Sequence, residues 1–348
     1  VQYLGKMIWP HNMAYFYPFP HSVPTWQIIG SCAILIIISF GCIRTCKTRP
    51  YLIVGWLWYL GTLLPVIGII QVGLWPALAD RWAYVPFIGI FIMIAWAGKD
   101  IAAIWRYNKF TLGALVAIVL LVFIFNTRLQ IAYWQNSYKL YAHALTATSN
   151  NATAHYDMGC ILDLRGRGDE AFRHYEQALY INPNFPAAHI NMGNSLMARG
   201  QIAEATKHFQ MALQINPKSA IAHNSLGVAL VKQGDVQEAL HHYALALRLD
   251  PDYPMAHNNI GAALKKQGKI SDAIRHYLKA LKLKPEYVDA HYNLGLVLTN
   301  RGKLKQAIFH FQKALEINPE NEVVKKGYIA ALEEQAKIDN QVGVHDRN

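Results

Sequence analysis

Hydrophobic and polar residues follow two incompatible patterns along this chain, and the change comes near residue 128. Before it, apolar residues run on without periodic relief: 26–43, 50–79, 82–98 and 110–127 contain no charged side chain. Crossing a bilayer takes about 20 apolar residues and at least ~17, so this pattern predicts about four transmembrane helices. Beyond residue 128 apolar positions recur at helical spacing, and from Ala152 the whole pattern repeats every 34 residues. Glycine returns at 159, 193, 227, 261 and 295, and again at 166, 200, 234, 268 and 302. Alanine returns at 171, 205, 239, 273 and 307, and at 178, 212, 246, 280 and 314. A period in this range is one supersecondary unit that buries its apolar face only by stacking on a neighbour.

Each recurring residue has a physical role in a pair of antiparallel helices. The first glycine allows close approach, the second suits the left-handed turn that ends a helix, and the alanines let two helices pack tightly. Tyr175, Phe209, Tyr243, Tyr277 and Phe311 fill the space between them, and Pro183, Pro217, Pro251, Pro285 and Pro319 cannot continue the helix they follow. With these residues in place, the repeats are identified as tetratricopeptide repeats, five in all over 152–321. Residues 134–148 keep the register of a second helix, with Tyr141 and Ala144 in position, and predict a half-repeat leading in. Residues 323–338 have the polar outer face of a terminal cap, and the tail after them is expected to fray. The expected fold is all-α: a multispanning transmembrane helix bundle followed by a right-handed tetratricopeptide α-solenoid. Its parts are an outward-facing loop (1–24), a membrane domain (25–128), a leading helix (129–151), five repeats (152–321), and a cap with its tail (322–348).

Charge adds orientation. The formal net charge is +11, but part of it lies beside the apolar segments, where basic residues set topology. No nucleic-acid motif accompanies it, so no nucleic-acid partner is expected. Arg44, Lys47 and Arg49, and then Lys99, Arg106 and Lys109, mark two loops as cytoplasmic. The N-terminal stretch, residues 71–81 and the repeats are then outward, which places the repeats in the periplasm or lumen of an integral protein of a bacterial inner membrane or the endoplasmic reticulum, in contact with membrane lipid. Cys32, Cys42, Cys46 and Cys160 offer neither a disulfide framework nor zinc-ligand spacing. The start at Val1 lacks the basic opening and cleavage site of a signal peptide, so a preceding segment is expected.

Two sets of side chains repeat with the helices. Asp157, Asn191, Ser225, Asn259 and Asn293 share one position of the first helix, and beside them stand Tyr156, Ile190, Asn224, Asn258 and Tyr292. Cys160, Asn194, Val228, Ala262 and Leu296 come one turn later. Amides and hydroxyls in such a row can pair with an extended backbone without demanding a sequence, which predicts a groove for protein or peptide. The row resembles the asparagine-lined groove of the O-GlcNAc transferase repeats, with Asp157 and Ser225 as interruptions. Histidines repeat too, at 155, 189, 223, 257 and 291 and at 174, 208, 242, 276 and 310. Ligands one repeat apart stand about a helix diameter, ~10 Å, from each other, too far to share an ion, so packing and a pH-sensitive surface are expected rather than metal, with shared titration loosening the solenoid in acid.

Residues 6–11, Lys-Met-Ile-Trp-Pro-His, and 79–86, Ala-Asp-Arg-Trp-Ala-Tyr-Val-Pro, fall on the outward side, followed by spans and then repeats. In this the chain resembles the GT-C glycosyltransferases with tetratricopeptide tails, the transmembrane and tetratricopeptide repeat-containing O-mannosyltransferases. The resemblance implies transfer of a sugar from a polyprenyl-phosphate donor to a protein hydroxyl, with Asp80, Arg81 and His11 near the lipid-linked sugar donor. It covers only the later portion of such an enzyme, and the family's catalytic carboxylate would lie upstream, so no catalytic residue is assigned here; the lipid-linked sugar donor is the one cofactor implied, and a divalent metal is left open. A non-catalytic membrane-anchored scaffold for protein–protein interaction remains the alternative. A polysaccharide ligase of the O-antigen type fits less well, because the outward loops are short.

Overall fold

The computed structural model of this protein describes residues 24–63, 84–104 and 109–345, and every element among them is an α-helix or a connecting turn. The chain divides into two compact units, Val1–Pro183 and Asn184–Asn348.

In the first unit, α1 (Thr25–Arg44), α2 (Pro50–Leu63), α3 (Tyr84–Ile104) and α4 (Lys109–Tyr133) stand at the four places the apolar runs predict. Of these, α1 and residues 113–133 within α4 are long and apolar enough to cross a membrane by length and composition. The described part of α2 has 14 residues. Two such helices among the described residues fall short of the four-span bundle expected from sequence. The outer surfaces are apolar: Ile36, Ile37 and Phe40 on α1 and Leu121 and Phe125 on α4 are exposed. Helices α2 and α3 cross where Gly55 faces Gly89. A Cβ on Gly89 would overlap the Gly55 carbonyl oxygen and lie 3.0 Å from the Tyr59 amide nitrogen, so the backbones touch. Trp56 and Tyr59 are buried beside the crossing, and the Trp56 indole N–H donates to Ser39 Oγ at 2.8 Å. At one end of the pair, Tyr51 donates to Asp100 Oδ2 at 2.7 Å and Arg49 pairs with the same oxygen at 3.3 Å.

The leading helix α5 (Ser137–Ala147) starts where Asn136 accepts from the Lys139 amide, and it buries Ala144 against Ala154. The first repeat follows as α6 (Ala152–Leu164) and α7 (Gly168–Ile181).

The second unit holds α8 (Pro186–Ala198) with α9 (Ile202–Ile215), α10 (Ala220–Gln233) with α11 (Val236–Leu249), α12 (Pro254–Lys266) with α13 (Ile270–Leu283), and α14 (Val288–Asn300) with α15 (Leu304–Ile317). Proline occupies the first turn of α8 and α12, where its fixed φ suits the helix and its missing N–H leaves no bond unmade. The glycines at 200, 234, 268 and 302 have φ between 69° and 102°, the left-handed conformation that turns the chain between paired helices. The alanines that repeat in register are fully buried, and the aromatics Phe209, Tyr243, Tyr277 and Phe311 are within a few per cent of full burial. A Cβ on Gly193 would sit 2.5 Å from the Phe209 ring, and one on Gly295 would sit 2.7 Å from Phe311. Glycine therefore recurs because the ring occupies the volume a side chain would need. The last two repeats share one core with the capping helix α16 (Glu322–His345), which buries Val324 and Ala331. This helix runs to His345, past the point where fraying was expected.

Candidate functional site

The amide row lies on the first helices, and the structure distinguishes its two columns. In the second unit Asn191, Ser225, Asn259, Asn293 and Tyr292 are half-buried, and Asn194 is exposed. Asn224 and Asn258, expected to line the groove, are buried at 6% and 5% exposure. The reason is a hydrogen bond between successive repeats. Asn259 Nδ2 donates to Asn224 Oδ1 at 2.9 Å, and Asn293 Nδ2 donates to Asn258 Oδ1 at 3.0 Å. The Asn258 amide also reaches the Tyr287 hydroxyl, whose burial pushes its pKa up to about 12. Asn224 and Asn258 thus anchor one repeat to the next, and Asn259 and Asn293 are held in fixed positions by them. An asparagine amide carries two N–H donors and an oxygen with two lone pairs. The bond to the preceding repeat uses only one of these.

In the first unit Tyr156 and Asp157 are half-buried, with the Tyr156 ring 6.1 Å from that of Tyr175. His11, Asp80 and Arg81, the residues implied for a lipid-linked donor, lie outside the described residues.

One helical turn and two turns beyond the amides, the same stripe carries Val228 and Val231 on α10 and Ala262 on α12, all partly buried. It ends at Lys232 on α10 and at Lys265 and Lys266 on α12. Lys232 and Lys266 are exposed, and none of the three lysines takes part in the ion pairs formed among the described residues. The face in the second unit therefore combines fixed amides, a small apolar floor and uncompensated positive charge. Sequence reasoning missed these lysines as part of the stripe, although their seven-residue offset from Ser225, Asn258 and Asn259 was legible.

It also treated the two histidine series separately, and the structure joins them. Nδ1 of His189 is 2.9 Å from Nδ1 of His208, and the pairs His223–His242, His257–His276 and His291–His310 are 3.0, 3.1 and 3.0 Å apart. His155 and His174 do the same in the first unit at 3.1 Å. Ring centres lie 5.2 to 5.3 Å apart, longer than the nitrogen distances by about two ring radii. The facing nitrogens therefore lie close to the line between ring centres, the arrangement of an N–H···N hydrogen bond. No cluster of three or more metal-ligating side chains occurs among the described residues. The constant 19-residue offset of the two histidines in all five repeats was the available signal.

Family models described as tetratricopeptide repeats match residues 152–185, 190–254 and 288–321, and a further one described as a TPR repeat matches 263–302. This chain carries tetratricopeptide repeats. Among solved structures, the Cut9–Hcn1 hetero-tetramer of the APC/C is 17% identical over 82% of this chain and 55% of its own, with a TM-score of 0.54, and shares the fold. YrrB, described as a TPR protein with an unusual peptide-binding site, is 22% identical over 53% of this chain and 96% of its own, with a TM-score of 0.39. TTC0263, a thermophilic TPR protein of Thermus thermophilus, is 24% identical over 52% of this chain and 99% of its own, with a TM-score of 0.48. No curated protein matches the chain.

Proposed function

We propose that this protein is a membrane-anchored adaptor whose repeats hold an extended, acidic segment of a partner protein. The observation that carries this reading is the pair of bonds from Asn259 to Asn224 and from Asn293 to Asn258. They fix amide groups at one repeat spacing before any ligand arrives, which lowers the ordering cost of binding. The remaining oxygen and N–H of each amide suit the alternating donors and acceptors of an extended backbone. Lys232, Lys265 and Lys266 on the same stripe favour carboxylates along that backbone and speed its encounter.

The anchor rests on α1 and α4, which expose apolar side chains from Trp26 to Ile43 and from Phe110 to Phe125. The Gly55–Gly89 crossing supports a bilayer setting too, since small residues that let backbones touch drive association where no hydrophobic effect acts between helices. A four-span bundle with the repeats outside the cytoplasm remains the topology that the basic loops favour. Sugar transfer from a lipid-linked donor rests on residues 6–11 and 79–86, and the adaptor reading stands without it.

Charge reversal tests the groove without disturbing the fold, because surface substitutions of this kind usually stay within about 0.5 kcal/mol. Lys232→Glu with Lys266→Glu in the full chain is expected to weaken binding of an acidic peptide library by at least about tenfold, or 1.4 kcal/mol. Unchanged affinity, or equal affinity for acidic and basic libraries in the parent, refutes the reading.

A further inference from the structure

The histidine pairs form a structure that the groove does not use. In repeats three and five the first histidine has a second partner. His223 Nε2 lies 3.3 Å from the Pro217 carbonyl oxygen, and His291 Nε2 lies 3.0 Å from that of Pro285. The Pro251 carbonyl plays the same part for His257. A carbonyl only accepts, so Nε2 of the first histidine carries the hydrogen and its Nδ1 presents a lone pair. The second histidine must then donate Nδ1–H. The result is a directed chain: second-helix imidazole to first-helix imidazole to the carbonyl of the proline that closed the preceding repeat.

We infer that these chains are acid-release latches, which hold each turn to the helix pair after it when the imidazoles carry few protons and open when the pair is charged twice. The proton count follows from the geometry. A neutral pair shares one Nδ1–H. A first added proton enters at Nε2 of the second histidine and leaves the N–H···N bond intact. A second has only the first histidine's Nδ1 to occupy, where it would point N–H at N–H across about 3 Å. The bond must break to admit it, and two adjacent cations repel. Among the described residues no buried carboxylate stands beside these pairs to compensate, and the charged groups that face them are of mixed sign. Glu170 is near His174, and Glu238 and His241 are near His242. Asp272, Arg275 and Lys279 surround His276, and Asp252 and Lys279 act on His257. Lys313 and Glu316 flank His291.

The sign is consistent with this geometry. Burial, as the largest cause, lowers the pKa of His174, His208, His223, His242, His257, His276 and His291, and of His310 to about 4. Unfolded histidine titrates near 6.5. Between 6.5 and these lowered values the unfolded chain holds more protons, so stability is intact above about 6.5 and falls as pH drops toward 4.

Hydrogen exchange of the full chain, corrected for the intrinsic pH dependence, tests the latch on peptides from 184–317. Protection is expected to fall by at least about tenfold, the factor of one pKa unit, between pH 6.5 and pH 4. In the variant carrying His208→Gln, His242→Gln, His276→Gln and His310→Gln, an amide keeps a donor for the first histidine but does not titrate, and the fall should shrink to what the carboxylates and the remaining histidines, no longer paired, contribute. An equal fall in parent and variant overturns the latch. Should the variant not fold, nitrogen-15 spectra of the parent's imidazoles decide. One Nδ1–H and one bare Nδ1 per pair support the latch, and ten histidines titrating independently near 6.5 overturn it.

Discussion

The apolar helices and the repeats both rely on glycine where helices approach, but what each glycine meets is different. Gly193 and Gly295 face the rings of Phe209 and Phe311, side chains that belong to the partner helix of the same repeat. Gly55 and Gly89 face each other's backbone. In the repeats the close approach makes room for an aromatic core with a polar exterior. In the apolar pair it makes the contact itself, and the greasy surface remains outside. The same residue thus makes room for a buried ring in one region and lets two backbones touch beneath an exposed apolar surface in the other.

The largest test of this comparison is Gly89→Val. Its Cβ would overlap a carbonyl that has no rotamer to yield, so α2 and α3 are expected to separate. Cross-linking between cysteines placed on the two helices should then be lost from the full chain. If cross-linking survives, the backbone contact is not what joins them. Phe311→Ala removes a fully buried ring against Gly295 and is expected to cost about 3–5 kcal/mol, read as a lower urea midpoint for the last repeats. Ile36→Asp puts a charge on an exposed apolar face. If that face meets lipid, insertion worsens by about 2.5–3.5 kcal/mol, and a larger share of the chain leaves the membrane fraction. A water-facing helix would tolerate it. Smallest is Asn259→Ala, which leaves the buried Asn224 oxygen without its donor at a cost of about 1–3 kcal/mol. Thermal melting followed at the repeats measures it, and no change would mean that the asparagine bond does not hold the two repeats together.

That last substitution shows where sequence reasoning ended. The repeats were legible because identical contacts demand identical residues every 34 positions: a ring where there is a glycine, an alanine where two helices touch. The row of asparagines was legible as a row. Its division was not, because Asn224 and Asn258 are buried by a residue 35 positions away, a spacing that no single-helix periodicity reveals. Substituting Asn259 or Asn293 therefore carries a folding cost as well as a binding one. The histidine pairs escaped for a related reason. Nineteen residues separate partners across a turn, while the sequence periodicity was compared within one helix or between equivalent positions. The apolar runs gave helix positions readily, since α1 to α4 overlap the four uncharged runs, although α3 continues through Lys99 and Asp100. Hydropathy alone does not reveal which glycines meet, because Gly30, Gly41 and Gly61 have open space beside them while Gly55 and Gly89 do not.

The closure of each Gly–aromatic contact within its own repeat also has a consequence for inheritance. A deletion or duplication of one whole period rejoins a proline-closed turn to a first helix of the same kind, so the chain can gain or lose a module and keep every internal contact of those that remain. Removing half a period leaves a ring without its glycine. Length in this region is therefore a heritable variable that changes in steps of a repeat, and the number of amides offered to a partner changes with it.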